Sequence, residues 1–472
     1  MPDKAYKARN AWLEMEEVEH NEIFSFCDEY AGFLSENKTE REFVKRSVEL
    51  LEEEGFKNIQ DKKMLKKGDK IYKVNRNKAV MAAVIGEKPL SEGLNIVGAH
   101  VDSPRIDLKP NPLYEKSELA FFNTHYYGGI KKYQWVSIPL ALHGVIVKED
   151  GSKVDVKIGN NDQDPVFYIS DLLPHLGKDQ MQKKMSEGIN GEQLNLMIGS
   201  IPASKNKEEK SDDSSSDEKK VEIKSAVLDL LAEKYDITGE DLVSAELEIV
   251  PAMKARDVGF DRGMLAGYGH DDRVCSYTAL RAITDIEKPQ YTAMVLLMDK
   301  EEIGSMGSTG MQSHFFENTV AEMINLSEVN YSELLVRKAI ENSRSLSGDV
   351  NAAYDPNYAD VFEKDNSAYL GKGVVITKYT GARGKSGSSE ATAEFVARIR
   401  SLFNEAGIIW QTGELGKVDK GGGGTIAQFL ANYNMDVLDC GPAVISMHSP
   451  YEVVSKVDVY NTYLAYLVFF EK

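Results

Sequence analysis

An α/β fold interrupted by a β-rich segment is predicted by three features of this 472-residue chain. Short apolar runs bounded by turn residues recur toward both ends, as expected of strands buried on both faces of a sheet. Stretches with helical apolar spacing lie between those runs. Across 103–250 the texture changes to closely spaced β-like runs and turn signals. The simplest organisation is therefore one α/β domain, made from residues 1–102 and 251–472, with an insertion at 103–250. Hydrophobic residues make up 42%, so core-forming material is ample for such a domain.

The elements follow in order. Residues 1–60 read as charged amphipathic helices, and over 40–54 Phe43, Val44, Val48, Leu50 and Leu51 form a helical stripe. The first strong strand is 94–101, apolar and short, between Gly93 and Pro104. Inside the insertion, 137–147, 153–158 and 166–169 read as strands. Residues 204–220 contain no apolar side chain and cannot offset their ordering entropy, which predicts a mobile surface loop. Beyond 250, strands are predicted at 292–298, 320–326, 373–378 and 437–447, with helical stretches between them. No internal repeat is found.

Composition excludes several functions. Against 75 Asp+Glu stand 56 Lys+Arg, a net charge of −19, which disfavours nucleic acid or an anionic membrane as the main partner. The N-terminus has no signal-like apolar region, and no run approaches the ~18 apolar residues of a membrane span. Cys27, Cys275 and Cys440 are too few and too scattered for a disulfide framework or a thiolate zinc site. A soluble cytoplasmic protein is expected.

Ligands of open α/β sheets bind beyond the carboxyl ends of strands, so polar residues there carry the search for chemistry. The first strong strand ends in His100-Val-Asp102, and 292–298 is followed by Asp299-Lys300-Glu301-Glu302. The last apolar run leads to His448-Ser-Pro450. His270-Asp271-Asp272-Arg273 opens a helical stretch, and Asp349 follows Ser347-Gly348. Singly these have plain explanations: a lone His is usually structural, Glu301-Glu302 suits a helix start, and Asp271-Asp272 suits an N-cap. Together they place two His and several carboxylates at strand ends or helix starts of one sheet, the ligand chemistry of zinc, cobalt or manganese at a hydrolytic site. An Asp two residues after a His can orient the imidazole, and adjacent Glu residues can divide metal binding from proton transfer.

Rival motifs fail. No His is followed by Glu, so the His-Glu-x-x-His motif is absent. Gly384-Lys385-Ser386 lacks the upstream glycine of a phosphate loop, where Tyr379 stands. Gly307-Ser308-Thr309-Gly310 is one residue short of a nucleophile elbow. The glycines at 421–424 fit either a helix-start loop near substrate or a flexible turn.

Val97-Gly-Ala-His100-Val-Asp102-Ser-Pro, His270-Asp271-Asp272-Arg-Val-Cys-Ser, Asp299-Lys-Glu301-Glu302-Ile-Gly-Ser and Ser446-Met-His448-Ser together resemble family 18 of the metallopeptidases. That is the aspartyl aminopeptidase and vacuolar aminopeptidase I family, and the chain reads as a bacterial-type member. The segment Thr124-His-Tyr-Tyr127-Gly-Gly, running on to Trp135, is similar to a further family stretch.

The resemblance implies a mixed-sheet, helix-flanked zinc-aminopeptidase-like catalytic domain with an inserted dimerisation domain. It implies a cytoplasmic homo-oligomer, a dodecamer built from dimers, that acts on peptides. It assigns two divalent ions, zinc first with cobalt or manganese as alternatives, to His100, Asp271, Glu302, Asp349 and His448, with Asp271 bridging. Glu301 resembles the general base and Asp102 the carboxylate that orients His100. His175 resembles a residue that reaches a neighbouring subunit's active site and stabilises the oxyanion.

Three departures from the family pattern are visible. Many members have Leu-Asp-Asn where this chain has His270-Asp271-Asp272, so Asp272 competes with Asp271 for the ligand position, although register favours Asp271. Ala352 and Asp355, downstream of Asp349, stand where many members carry His. Ser137-Ile138 stand where many carry Asp-Arg, so a preference for acidic N-terminal residues is not carried over. The alternatives are a related two-metal carboxypeptidase or deacylase, and a non-catalytic assembly protein.

Overall fold

The computed structural model describes residues 6–202 and 223–472, so the loop expected at 204–220 lies outside the described residues. The protein is a mixed α/β chain that divides into two compact units. One comprises Met1–Ser103 with Lys254–Lys472, and the other Pro104–Met253.

The first unit is built on a nine-stranded mixed sheet. At its centre Thr292–Met298, Leu94–His100, Arg344–Ser347 and Asp436–Gly441 run parallel in that spatial order. Ala79–Val84 joins antiparallel beside Thr292–Met298, and Val374–Thr377 joins antiparallel beside Asp436–Gly441. The central strands read as continuous apolar runs because both faces are covered. Alternate residues sort to opposite clusters, as the two-residue period of a strand requires. Leu94, Ile96, Met294 and Leu296 pack with Phe316, Val320 and Ile340. Val97, Ala99, Val295 and Leu297 pack with Tyr277, Leu280, Tyr466 and Phe469.

One of the helices on these faces begins at a side-chain cap supplied by the sequence. The helix Glu40–Glu53 starts at Thr39, whose side chain accepts from the backbone N–H of Glu42 while the Glu42 side chain returns the bond. It buries Phe43, Val44 and Leu51. A five-stranded sheet in the same unit orders Arg256–Val258, Met264–Gly267, Glu452–Ser455, Ala443–Ile445 and Asn351–Ala352.

The second unit holds a separate six-stranded sheet in which every pairing is antiparallel. Its order is Lys153–Ile158, Leu140–Val147, Glu246–Pro251, Arg105–Lys116, Leu119–Tyr127, Leu196–Gly199. Gly144 permits one of these pairings, since a Cβ there would lie 2.0 Å from the carbonyl oxygen of Glu246.

Three expectations are corrected. Residues 320–326 are not a strand but part of the helix Phe315–Ser327, which buries Phe316, Thr319, Val320, Met323 and Ile324, a helical rather than alternating spacing. The run 437–447 is two strands in different sheets, Asp436–Gly441 and Ala443–Ile445, because Pro442 between them has no N–H for a ladder. Residues 166–169 form isolated bridges only, through Phe167 and Tyr168. No helix among the described residues is long and apolar enough to cross a membrane.

Candidate metal centre

Three adjacent parallel strands deliver most of the site. Register pairs Met298 with His100 and Ser347 with Gly98, so Asp299 to Glu302, His100 and Asp349 leave the sheet at the same edge. Asp271 comes from the first turn of the helix His270–Thr284, whose apolar side packs on that sheet. His448 does not belong to this sheet, contrary to the expectation of one. It sits in the loop after Ala443–Ile445 of the five-stranded sheet, in the left-handed region at φ 65°.

The two oxygens of Asp271 face different histidines. Oδ1 lies 3.2 Å from His100 Nε2 and Oδ2 lies 3.2 Å from His448 Nε2. His448 Nε2 is also 3.5 Å from Glu302 Oε2, and His100 Nε2 is 3.9 Å from Glu301 Oε2. Donor atoms of His100, Asp271 and Glu302 lie within 4.8 Å of one another, as do those of Asp271, Asp272 and Asp349. Asp271 belongs to both groups.

The supports are equally specific. His100 Nδ1 lies 3.0 Å from the carbonyl oxygen of Asp102 and 3.3 Å from its Oδ1. Both are acceptors, so the ring proton resides on Nδ1 and Nε2 is left to face the site. Asp102 also accepts from the backbone N–H groups of Glu301 at 3.1 Å and Glu302 at 3.2 Å. Asp272 Oδ2 accepts from the backbone N–H of His100 at 3.2 Å, which occupies one of its oxygens.

Burial dominates the electrostatics. It pushes Glu301 up to about 7, against the pull of His100 and with the help of Asp102 and Asp271. It pushes Glu302 and Asp349 well above the usual carboxylate range, reinforced by neighbouring acids. Burial acts the same way on Asp271, but hydrogen bonds with His100 and His448 outweigh it and hold that carboxyl below its ordinary value. For His100, burial opposes the charged form, yet Asp102 and Asp271 keep its pKa well above normal.

These residues fit divalent metal. The buried carboxylates outnumber the two imidazoles, and like charges so crowded cannot all ionise without cations between them. Glu302 Oε1 and Asp272 Oδ1 are buried with no hydrogen-bond partner, the signature of atoms awaiting a ligand.

Other expected residues lie elsewhere. His175 is exposed in a turn of the second unit, which also contains Thr124 and the fully buried Trp135. Of the glycines at 421–424, Gly421 and Gly422 permit close packing: a Cβ on Gly422 would lie 2.5 Å from that of Ala382, and one on Gly421 2.2 Å from the Leu415 carbonyl oxygen. Sequence reasoning passed over Glu452, a 1% exposed carboxylate bonded to the backbone of both Asp271 and His448. The available signal was a lone acid opening the otherwise apolar strand Glu452–Ser455, four residues past His448.

Comparison with known proteins gives the family and fold. A family model described as aminopeptidase I zinc metalloprotease (M18) matches residues 33–470. A probable M18 family aminopeptidase 1 from Clostridium acetobutylicum is 52% identical and aligns over 99% of both chains. The crystal structure of an M18 family aminopeptidase from Thermotoga maritima superposes with a TM-score of 0.93 at 46% identity, covering 99% of this chain and 100% of that one. A structure of the mApe1 dodecamer from S. cerevisiae, 22% identical, shares the fold with a TM-score of 0.75 over 96% of this chain and 97% of that one.

Proposed function

Because the chain belongs to the M18 family of zinc metallo-aminopeptidases, which hydrolyse peptide bonds, we propose that it removes N-terminal residues from peptides at a dinuclear centre shared by Asp271. The observation that carries this reading is the pair of 3.2 Å approaches from the two Asp271 oxygens to His100 and His448. His100, Asp271, Glu302, Asp349 and His448 would hold two divalent ions, with zinc favoured by the family. Such ions, when bound, polarise the scissile carbonyl and lower the pKa of water.

The chain's own groups do the rest. Glu301, 17% exposed at its side chain, accepts a proton from the attacking water and delivers it to the leaving amine nitrogen. A carboxylate placed beside the attacking water is suited to taking a proton and returning it. Asp102 fixes the His100 ring and, through two backbone N–H groups, the start of the Glu301-Glu302 turn. His175 is our candidate for stabilising the oxyanion in a neighbouring subunit.

The second unit, Pro104–Met253, is proposed as the dimerisation domain of a dodecamer like that of the yeast neighbour. Three free buried thiols, Cys27, Cys275 and Cys440, accord with a reducing cytoplasm. A panel of aminoacyl-nitroanilides, N-acetylamino acids and N-blocked dipeptides with a free carboxylate, run with zinc, cobalt or manganese after chelation, tests the activity. Turnover confined to free-amine nitroanilides supports an aminopeptidase; hydrolysis instead of N-acetylamino acids, or of the N-blocked dipeptides, points to a deacylase or carboxypeptidase. The same panel reads the side-chain preference, and sedimentation reads the assembly.

A further inference from the structure

Glu452 opens the strand Glu452–Ser455, where it pairs with Gly267 of the neighbouring strand. Its carboxylate is buried, at 1% exposure. One oxygen, Oε2, accepts from the backbone N–H of Asp271 at 3.0 Å, and the other, Oε1, accepts from the backbone N–H of His448 at 2.6 Å. Neither donor has a place in a regular ladder. Asp271 stands at the non-helical opening of His270–Thr284, at φ −80° and ψ 105°, and His448 stands in a loop at φ 65°.

We propose that Glu452 is a positioning residue which sets the separation of Asp271 and His448, and through it the spacing of the metal centre. The inference rests on the ligand roles assigned above to those two residues. Their side chains meet at 3.2 Å although they come from different elements, a helix start and a loop of the five-stranded sheet. A single rigid carboxylate that holds both backbones removes the play between those elements. His448 sits at φ 65°, a region that non-glycine residues adopt uncommonly, so a partner holding its backbone N–H helps fix the turn. Glutamine at 452 keeps the volume and one acceptor oxygen but turns an NH2 group toward the other N–H. It therefore releases one ligand backbone without opening a cavity.

The test compares wild type, Glu452→Gln, Glu452→Ala and His448→Ala by zinc competition with a chelator and by the visible spectrum of the cobalt(II) forms. Circular dichroism and thermal melts of the metal-free proteins accompany both. Loss of an orienting partner around a metal site typically weakens metal binding about 10- to 100-fold. Glu452→Gln is expected to fold like wild type, lose zinc affinity within that range, change the cobalt spectrum and lower kcat with KM little changed. Wild-type zinc affinity and an unchanged cobalt spectrum in Glu452→Gln, with His448→Ala losing metal, would overturn the inference while leaving the ligand reading intact. Unchanged metal binding in His448→Ala would overturn both. Failure of both Glu452 variants to fold would also overturn it, making Glu452 a residue of the fold rather than of the site.

Discussion

Asp102 Oδ1 accepts a hydrogen bond from the backbone N–H of Glu301 at 3.1 Å, so the carboxylate that faces His100 also sets where the Glu301-Glu302 turn begins. Removing it should disturb more than one imidazole. Asp102→Ala leaves the N–H groups of Glu301 and Glu302 without their acceptor and the His100 ring with the backbone carbonyl of residue 102 as its sole partner there, and is expected to destabilise the chain by roughly 1–3 kcal/mol as well as to lower kcat. Asp102→Asn keeps one acceptor and should cost less in both. Urea midpoints and steady-state kinetics check the order; equal kcat in wild type and Asp102→Ala would remove Asp102 from the account.

Glu301→Gln should leave fold and metal content as they are, because the Glu301 carboxylate lies 3.9 Å from His100 Nε2, beyond hydrogen-bond distance, and is not one of the proposed ligands. Turnover should fall by about 10²- to 10⁴-fold, the usual worth of a positioned proton acceptor. Single-turnover assays alongside elemental analysis distinguish this from metal loss.

Gly441 lies against the turn that carries Asp349. A Cβ there would sit 2.2 Å from the Asp349 carbonyl oxygen and 2.8 Å from Cys275 Sγ. Gly441→Ala must therefore push Asp349 aside, at a cost of about 1–3 kcal/mol for overpacking. A drop in zinc affinity together with a lowered melting temperature is expected. An unchanged zinc titration would mean that the position of Asp349 does not matter to the metal.

His270 predicts an acid sensitivity of the metal-free protein. It is fully buried, with Nδ1 2.9 Å from the Tyr30 hydroxyl, and burial, with Arg273 nearby, lowers its pKa to about 3. The unfolded chain binds this proton near 6.5 and the folded chain does not, so the stability it confers is present above 6.5 and is lost as pH falls toward 3. The loss is on the order of a few kcal/mol. His270→Gln should flatten that limb of a melting-temperature profile between pH 7 and 4, whatever its effect at neutral pH.

Much of the site was legible because its residues follow apolar strands. His100 and the Asp299 to Glu302 run stand directly after strands whose side chains are buried on both faces. What escaped notice has physical causes. A short, mostly apolar segment does not distinguish helix from strand, and 320–326 is helical because Phe315 and Phe316 extend its stripe upstream. Ala79–Val84 was not singled out, being buried on both faces with no alternation to announce it. The change of sheet at Pro442, which places His448 in a separate layer, and the double backbone bond of Glu452 are tertiary facts with little local trace.

That Asp271 serves two ions is a proposal, and zinc per chain, measured by elemental analysis in wild type and Asp271→Asn, bears on it without an activity assay. Two zinc ions per wild-type chain are expected, with near-complete loss of both in the variant, whose amide cannot serve two ions as an ionised carboxylate can. Equal zinc content in the two proteins, or loss of only one ion, would contradict it.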